Sequence, residues 1–128
     1  MKYLLDTSTF LWFTEEPERL TRRAFDLIVD SGNEIMLSYV SAWELAIKVA
    51  TGRLRFEEPL ENLLPRTMNA HRFTGLAIEL RHVLAAATLP LLHRDPFDRL
   101  LVCQAQIEQM PILSADRAIA QYDVQVVW

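Results

Sequence analysis

Short, uninterrupted apolar runs alternate with longer stretches of helical spacing, and this rhythm constrains the chain more than any single residue does. Tyr3 to Leu5, Ile35 to Leu37, Leu76 to Ile78 and Ile112 to Leu113 are apolar at consecutive positions, and Val124 to Val127 is nearly so. A strand with one wet face alternates polar and apolar residues, whereas a strand covered on both faces does not. The pattern therefore predicts an α/β fold, a parallel sheet in three layers with helices on both faces. Between the runs, Thr21 caps a predicted helix to about Asp30, with Gly32 beyond it, and Ser41 opens one to about Thr51, ahead of Gly52. A more polar helix follows Pro59 to about Asn69, and another spans about Arg81 to Ala87. Asp95-Pro96 opens a further helix with proline at its first position, and Asp116 starts a brief one.

At 128 residues the chain is expected to be one domain, 1–128, with a core that needs neither disulfides nor structural metal. Cys103 is the only cysteine; in an apolar helical stretch it reads as a buried small hydrophobe. No apolar run approaches the roughly 18 residues that span a bilayer, and Asp6 interrupts the N-terminus before a signal-like stretch forms. A cytoplasmic protein without membrane contact is the expectation. The net charge of −4 speaks at first against a nucleic-acid partner, but of 13 basic residues all except Lys2 and Lys48 are arginine. Arginine suits bidentate phosphate contacts and surface ion pairs alike, and a bound cation offsets clustered acids.

In parallel α/β sheets the functional crevice lies beyond the carboxyl ends of the strands, and four acids fall there. Asp6 directly follows the first strand; it is either a helix N-cap for the segment beginning near Ser8 or a site residue, and Thr7 and Ser8 offer other caps. Glu44 sits in Ser41-Ala-Trp-Glu44, which matches a capping box, and is spaced for an i,i+4 pair with Lys48. It also lies in a nearly buried helix, where a carboxylate wants a strong partner, so its residues alone leave its role open. Asp98 heads an apolar stripe through Leu101, Val102 and Ala105 and should face inward. Asp95 reads as an ordinary cap or a group at the site's periphery. Asp116 follows Ile112-Leu113-Ser114-Ala115, where it either caps or joins the crevice.

Like charges gathered in one cleft repel unless a cation is present, and oxygen-only ligands favour Mg²⁺ or Mn²⁺ over zinc. His71, His82 and His93 are dispersed and read as surface or packing residues. A carboxylate-held ion suits phosphate chemistry: the expected reaction is in-line hydrolysis of a phosphodiester by metal-activated water, leaving a 3′-hydroxyl and a 5′-phosphate. Thr7 and Ser114 stand near enough in sequence to hydrogen-bond a carboxylate or water.

Leu-Leu-Asp-Thr at 4–7, Ser-Ala-Trp-Glu-Leu-Ala-Ile-Lys at 41–48, His-Arg-Asp-Pro-Phe-Asp-Arg-Leu-Leu at 93–101 and Leu-Ser-Ala-Asp-Arg at 113–117 resemble the PIN domain, and more narrowly the VapC-type toxins of toxin–antitoxin pairs. The likeness runs from Tyr3 to Trp128. It implies that Asp6, Glu44, Asp98 and Asp116 form a catalytic, metal-holding quartet in a Mg²⁺- or Mn²⁺-dependent endoribonuclease. It also implies an RNA substrate, a homodimer and a small cognate antitoxin through which alone operator DNA is reached. Ser8 departs from the Asn or His that many relatives carry after Asp-Thr, which bears on secondary metal or substrate contacts.

Phe10, Leu11, Trp12 and Phe13 form an aromatic cluster just after Asp6. Packing accounts for much of it, but Trp12, Phe13 and Trp43 are numerous for so small a domain, and the segments 8–13 and 41–64 are candidates for an antitoxin groove. Arg94, Arg99 and Arg117 flank the acids, to bind RNA phosphates or an inhibitory acidic side chain, or to form local ion pairs. Two rivals are a receiver-like phosphotransfer domain, which wants a late lysine that this chain lacks, and a non-catalytic metal-binding module of the same fold.

Overall fold

The first strand explains the apolar rhythm. In the computed structural model, which describes residues 1–128, β1 (Lys2–Leu5) is the central strand of a five-stranded sheet ordered β3-β2-β1-β4-β5. Every neighbouring pair is parallel, so the predicted sheet is the one observed. β2 (Glu34–Ser38) and β3 (Thr74–Leu76) lie on one side of it, β4 (Ile112–Leu113) and β5 (Val126–Val127) on the other. Tyr3, Leu5, Ile35, Leu37 and Leu113 face one apolar cluster, while Leu4, Met36 and Ile112 face a second. Both faces are covered, and strict alternation of polar residues would leave charges in one of these cores.

Five of the six helices divide between the faces. α1 (Thr7–Glu15), α2 (Arg22–Val29) and α4 (Leu60–Ala70) place Phe10, Ile28, Leu60, Leu64 and Met68 with the Leu5 cluster. α5 (Leu80–Ala85) and α6 (Pro96–Glu108) place Ala85, Leu101, Val102, Cys103 and Ala105 with the Leu4 cluster. α3 (Tyr39–Ala50) touches both, through Val40 and Leu45. Cys103 is fully buried, as its apolar surroundings predict. No helix is long and apolar enough to cross a membrane.

Several boundaries differ from the sequence reading, each for a local reason. Thr21 caps α2 as expected, accepting the Ala24 N–H at 3.0 Å. α3, however, begins at Tyr39 because Ser38, the last residue of β2, already accepts the Val40 N–H at 3.0 Å. Strand passes into helix without a loop, Ser41 lies inside the helix, and the predicted Ser41–Glu44 capping box does not form. β3 lies two residues earlier than its apolar run, paired through Thr74, Gly75 and Leu76 to β2. The Tyr39 ring packs closely over Gly75, where a Cβ would stand 2.8 Å from it and the exposed ring would have to shift. The last strand is confined to Val126–Val127. Asp116 makes a turn rather than a helix, accepting the Ala118 N–H at 2.8 Å, and only a 3₁₀ turn, Ile119–Gln121, follows.

The register determines what meets at the sheet edge. Leu5 is level with Leu37 and Leu113, so Asp6, Ser38 and Ser114 all leave the sheet at the same carboxyl end. The chain moves to one side of β1 for β2 and to the other for β4, which makes the gap between β1 and β4 the topological switch point, where such folds bind ligands.

Candidate functional site

Asp6 stands at that gap, and of its two possible roles the cap is visible directly. Its Oδ1 accepts the Thr9 N–H at 2.8 Å, capping α1, while Oδ2 accepts the Ser114 hydroxyl at 2.5 Å. Only 4% of the residue is exposed, and burial pushes its carboxyl above the usual range despite those bonds, with the Asp116 charge adding to the rise. Ser114 also accepts the Asp116 N–H at 3.0 Å, so one hydroxyl joins the β1 and β4 sides of the crevice.

Asp98 arrives from α6. Pro96 opens that helix, and Asp95 caps it through bonds from the Phe97 and Asp98 N–H groups at 2.8 and 3.1 Å, which is the cap role expected of Asp95. The Asp98 side chain is 14% exposed and its Oδ2 lies 2.9 Å from His93 Nε2. Burial pushes its carboxyl up to about 6; the His93 hydrogen bond opposes this, and the charges of Asp95, Asp6 and Asp116 add to it. Three acids acting on a fourth place all of them in one field.

Glu44 is held differently. Thr7 Oγ1 donates to its Oε1 at 2.6 Å and lies 3.0 Å from Ser41 Oγ, while Lys48 Nζ sits 2.9 Å from Oε2. The residue is buried, so this is the strong partner its setting requires. The i,i+4 pair with Lys48 forms as spaced. Glu44 is thus a charge-compensated acid tied to the residue after Asp6, whereas Asp6 and Asp116 have no basic side chain paired to them and Asp98 has only the His93 imidazole.

His93 belongs to this site although its sequence position suggested surface or packing. No histidine shares a helical face with another, and His93 comes from the loop before α6. A ring nitrogen of His93 and one carboxylate oxygen each of Asp98 and Asp116 all lie within 4.8 Å of one another. Tyr122 Oη accepts the His93 main-chain N–H at 3.0 Å and a bond from Arg99 Nη1 at 3.0 Å. Arg99 donates further to the Pro90, Leu89 and Ala86 carbonyls at 2.8, 3.2 and 3.3 Å. Of the three arginines flanking the acids, it therefore clamps the loop that carries His93, while Arg94 and Arg117 are exposed.

The aromatics also separate. Trp12 packs edge-on against Trp128 beneath the Arg19 guanidinium, and Phe13 packs among Phe25, His71 and Phe73. Trp43 remains 54% exposed, its ring meeting Phe97 edge-on at 5.1 Å, one residue from Asp98.

A parallel three-layer fold with acids gathered at the β1/β4 switch point defines a class, and comparison with known proteins gives its name. The PIN domain family model matches residues 3–125, and the chain belongs to that family. Among solved structures, a chain of the VapBC2 complex from Rickettsia felis, bound to a DNA fragment from its promoter, superposes with a TM-score of 0.75 at 14% identity, covering 99% of this chain and 98% of that one. A chain of VapBC-1 from nontypeable Haemophilus influenzae gives 0.69 at 19%, with 99% and 97% covered. A chain of FitAcB from Neisseria gonorrhoeae gives 0.63 at 18%, with 98% and 96% covered. At these identities the likeness is one of fold. No curated protein matches the chain at the sequence level.

Proposed function

We propose that this PIN domain is a Mg²⁺- or Mn²⁺-dependent endoribonuclease and the toxin of a toxin–antitoxin pair. The observation that carries the reading is the convergence of Asp6, Asp98 and Asp116, with Asp98 held up to about 6 by burial and its neighbours' charges. Carboxylate oxygens in that arrangement are the donor set of a hard divalent cation, and a cation relieves the repulsion that raises Asp98. Asp6, Asp98 and Asp116 hold the ion, and Glu44 is the fourth acid, its own charge offset by Lys48. When bound, the ion supplies water activation and neutralisation of phosphoryl charge. Ser114 fixes Asp6 against Asp116, Thr7 fixes Glu44, and the exposed Arg94 and Arg117 receive the RNA phosphates. Incubation of the antitoxin-free protein with structured and unstructured RNAs should give cleavage in Mg²⁺ or Mn²⁺, lost in EDTA and regained on adding metal back. Folded protein that binds metal yet cleaves no RNA would favour the non-catalytic module.

Two apolar surfaces support the partner part of this reading. A groove of about 400 Å³ between α3 and α4, lined by Ala42, Ala46, Leu60, Glu61, Leu64 and Pro65, is suited to an antitoxin helix; all but Pro65 fall in the expected 41–64 segment, and none in 8–13. On α5, Leu80, Val83 and Leu84 are 71, 47 and 61% exposed, a patch suited to a second copy of the chain. Sedimentation with and without the cognate antitoxin tests both. Leu84→Glu should dissociate a dimer and Leu64→Glu should abolish antitoxin binding; a wild-type monomer, or undiminished antitoxin affinity in Leu64→Glu, would remove the corresponding surface.

A further inference from the structure

The site contains one imidazole, and an oxygen-only reading of the donor set leaves it unexplained. We infer that His93 ligates the metal through Nε2 alongside Asp98 and Asp116, making a mixed nitrogen–oxygen site that prefers Mn²⁺ to Mg²⁺. The inference rests on the metal-dependent reading above and names a ligand and a metal preference within it.

The geometry fits a shared ion. His93 Nε2 and Asp98 Oδ2 are 2.9 Å apart, and two adjacent octahedral ligands at about 2.1 Å from one cation stand about 3 Å from each other. Asp116 offers a carboxylate oxygen within 4.8 Å of ligand atoms of both residues, so the three can turn toward one ion. Nε2 and Oδ2 lie within hydrogen-bond distance of each other, and a bound ion would stand in place of that contact. The imidazole is also held in advance, since Tyr122 fixes its main chain and Arg99 fixes both Tyr122 and the preceding loop. Fixing a ligand before metal arrives is the usual task of such supporting contacts.

A second cluster shows why His93, and not any histidine near acids, is suited to this. Glu79, His82 and Glu108 also bring ligand atoms within 4.8 Å of one another. There, His82 Nδ1 accepts the Glu79 main-chain N–H at 3.0 Å, which puts the ring hydrogen on Nε2, directed at Glu108 Oε1 3.0 Å away. No lone pair remains for a metal, and the cluster is a hydrogen-bonded joint between α5 and α6. His93 makes no bond through Nδ1, which can carry the ring hydrogen and leave the Nε2 lone pair facing Asp98 and Asp116. An imidazole in an otherwise carboxylate set moves preference away from Mg²⁺, which dehydrates reluctantly and takes oxygen ligands, toward a transition ion.

Pulsed electron paramagnetic resonance on Mn²⁺-loaded protein tests this without relying on activity. The spectrum should show ¹⁴N coupling from a directly bound imidazole, converted to ¹⁵N coupling by selective ¹⁵N-histidine labelling, and this wild-type result does not depend on any variant folding. His93→Gln should lose the coupling and weaken Mn²⁺ binding by about 10- to 100-fold, with a smaller loss for Mg²⁺, whereas His71→Gln should retain both. Mn²⁺ that binds and is lost in Asp98→Asn but shows no nitrogen coupling would overturn the ligand role while leaving the metal-dependent reading intact. Coupling that persists in His93→Gln would also overturn it. Failure of the wild-type protein to bind Mn²⁺ would overturn both.

Discussion

Asp98→Asn is expected to lower metal-dependent RNA cleavage by about 10³-fold or more and, at neutral pH, to make the metal-free protein more stable. The first effect follows from removing a charged ligand whose ion supplies several kcal/mol of transition-state stabilisation, at about 1.4 kcal/mol per tenfold in rate. The second follows from the position of the Asp98 carboxyl, at about 6 against an ordinary 3.8. Between those values the folded protein retains a proton that the unfolded chain releases. The contribution of Asp98 to stability is therefore greatest below the unfolded value and falls as pH rises through the folded one. A shift of about two units corresponds to roughly 3 kcal/mol. Partial solvent access and the altered His93 contact reduce the net gain from asparagine to about 1–2 kcal/mol. Thermal unfolding in EDTA should place the variant a few degrees above wild type at pH 7.5, and the difference should shrink toward pH 4. Adding Mn²⁺ should stabilise the wild type and leave the variant unmoved. A variant less stable than wild type in EDTA at pH 7.5 would mean that Asp98 is not held against its neighbours' repulsion.

This opposition between stability and function explains why parts of the site were legible in the sequence. Asp98 is an acid on an inward helical stripe above Leu101, Val102 and Ala105, and such a residue breaks the local pattern without a visible compensation. Asp6 and Asp116 follow apolar runs, and a parallel sheet sends the residues after its strands to one edge. Those inferences need only a period and a sheet type. The others depended on contacts between distant segments. Ser41 had the right chemistry for a cap, but Ser38 reaches the helix start first because β2 and α3 share no intervening loop. β3 lies earlier than its apolar run because Thr74-Gly75 lacks apolar character, and the Tyr39 ring that packs over Gly75 comes from a distant segment. His93 and Arg99 were hidden more deeply. Nothing in the sequence says that Tyr122, far along the chain, fixes both, or that an arginine beside two aspartates directs its guanidinium to loop carbonyls rather than to phosphate or acid.

Gln104→Leu is expected to cost about 1–3 kcal/mol of stability although it exchanges one buried side chain for another of similar size. Gln104 is fully buried in α6 and joins β2, the loop after β3 and α5. Its Oε1 accepts the Ser38 hydroxyl at 2.5 Å, and its Nε2 reaches the Ala77 carbonyl and His82 Nδ1, each at 3.3 Å. Leucine would leave the buried Ser38 hydroxyl without its acceptor, at a cost of about 1–3 kcal/mol, and would remove the donor to the carbonyl of the exposed Ala77. Ser38 is also the cap that starts α3, the helix that carries Glu44, so the loss reaches the acidic crevice through the β2–α3 turn. Ser38→Ala alone should cost about 1–2 kcal/mol, combining the lost cap with an unpaired Gln104 oxygen. In the double variant Ser38→Ala/Gln104→Leu both sides of that bond are gone, and the total should fall short of the sum of the single changes by about 1–2 kcal/mol. Urea unfolding of the four proteins gives the coupling, provided the slopes agree and only the midpoints move. Strict additivity would show that Ser38 and Gln104 act independently, and that the joint between β2, α3 and α6 is held by apolar packing rather than by this hydrogen bond.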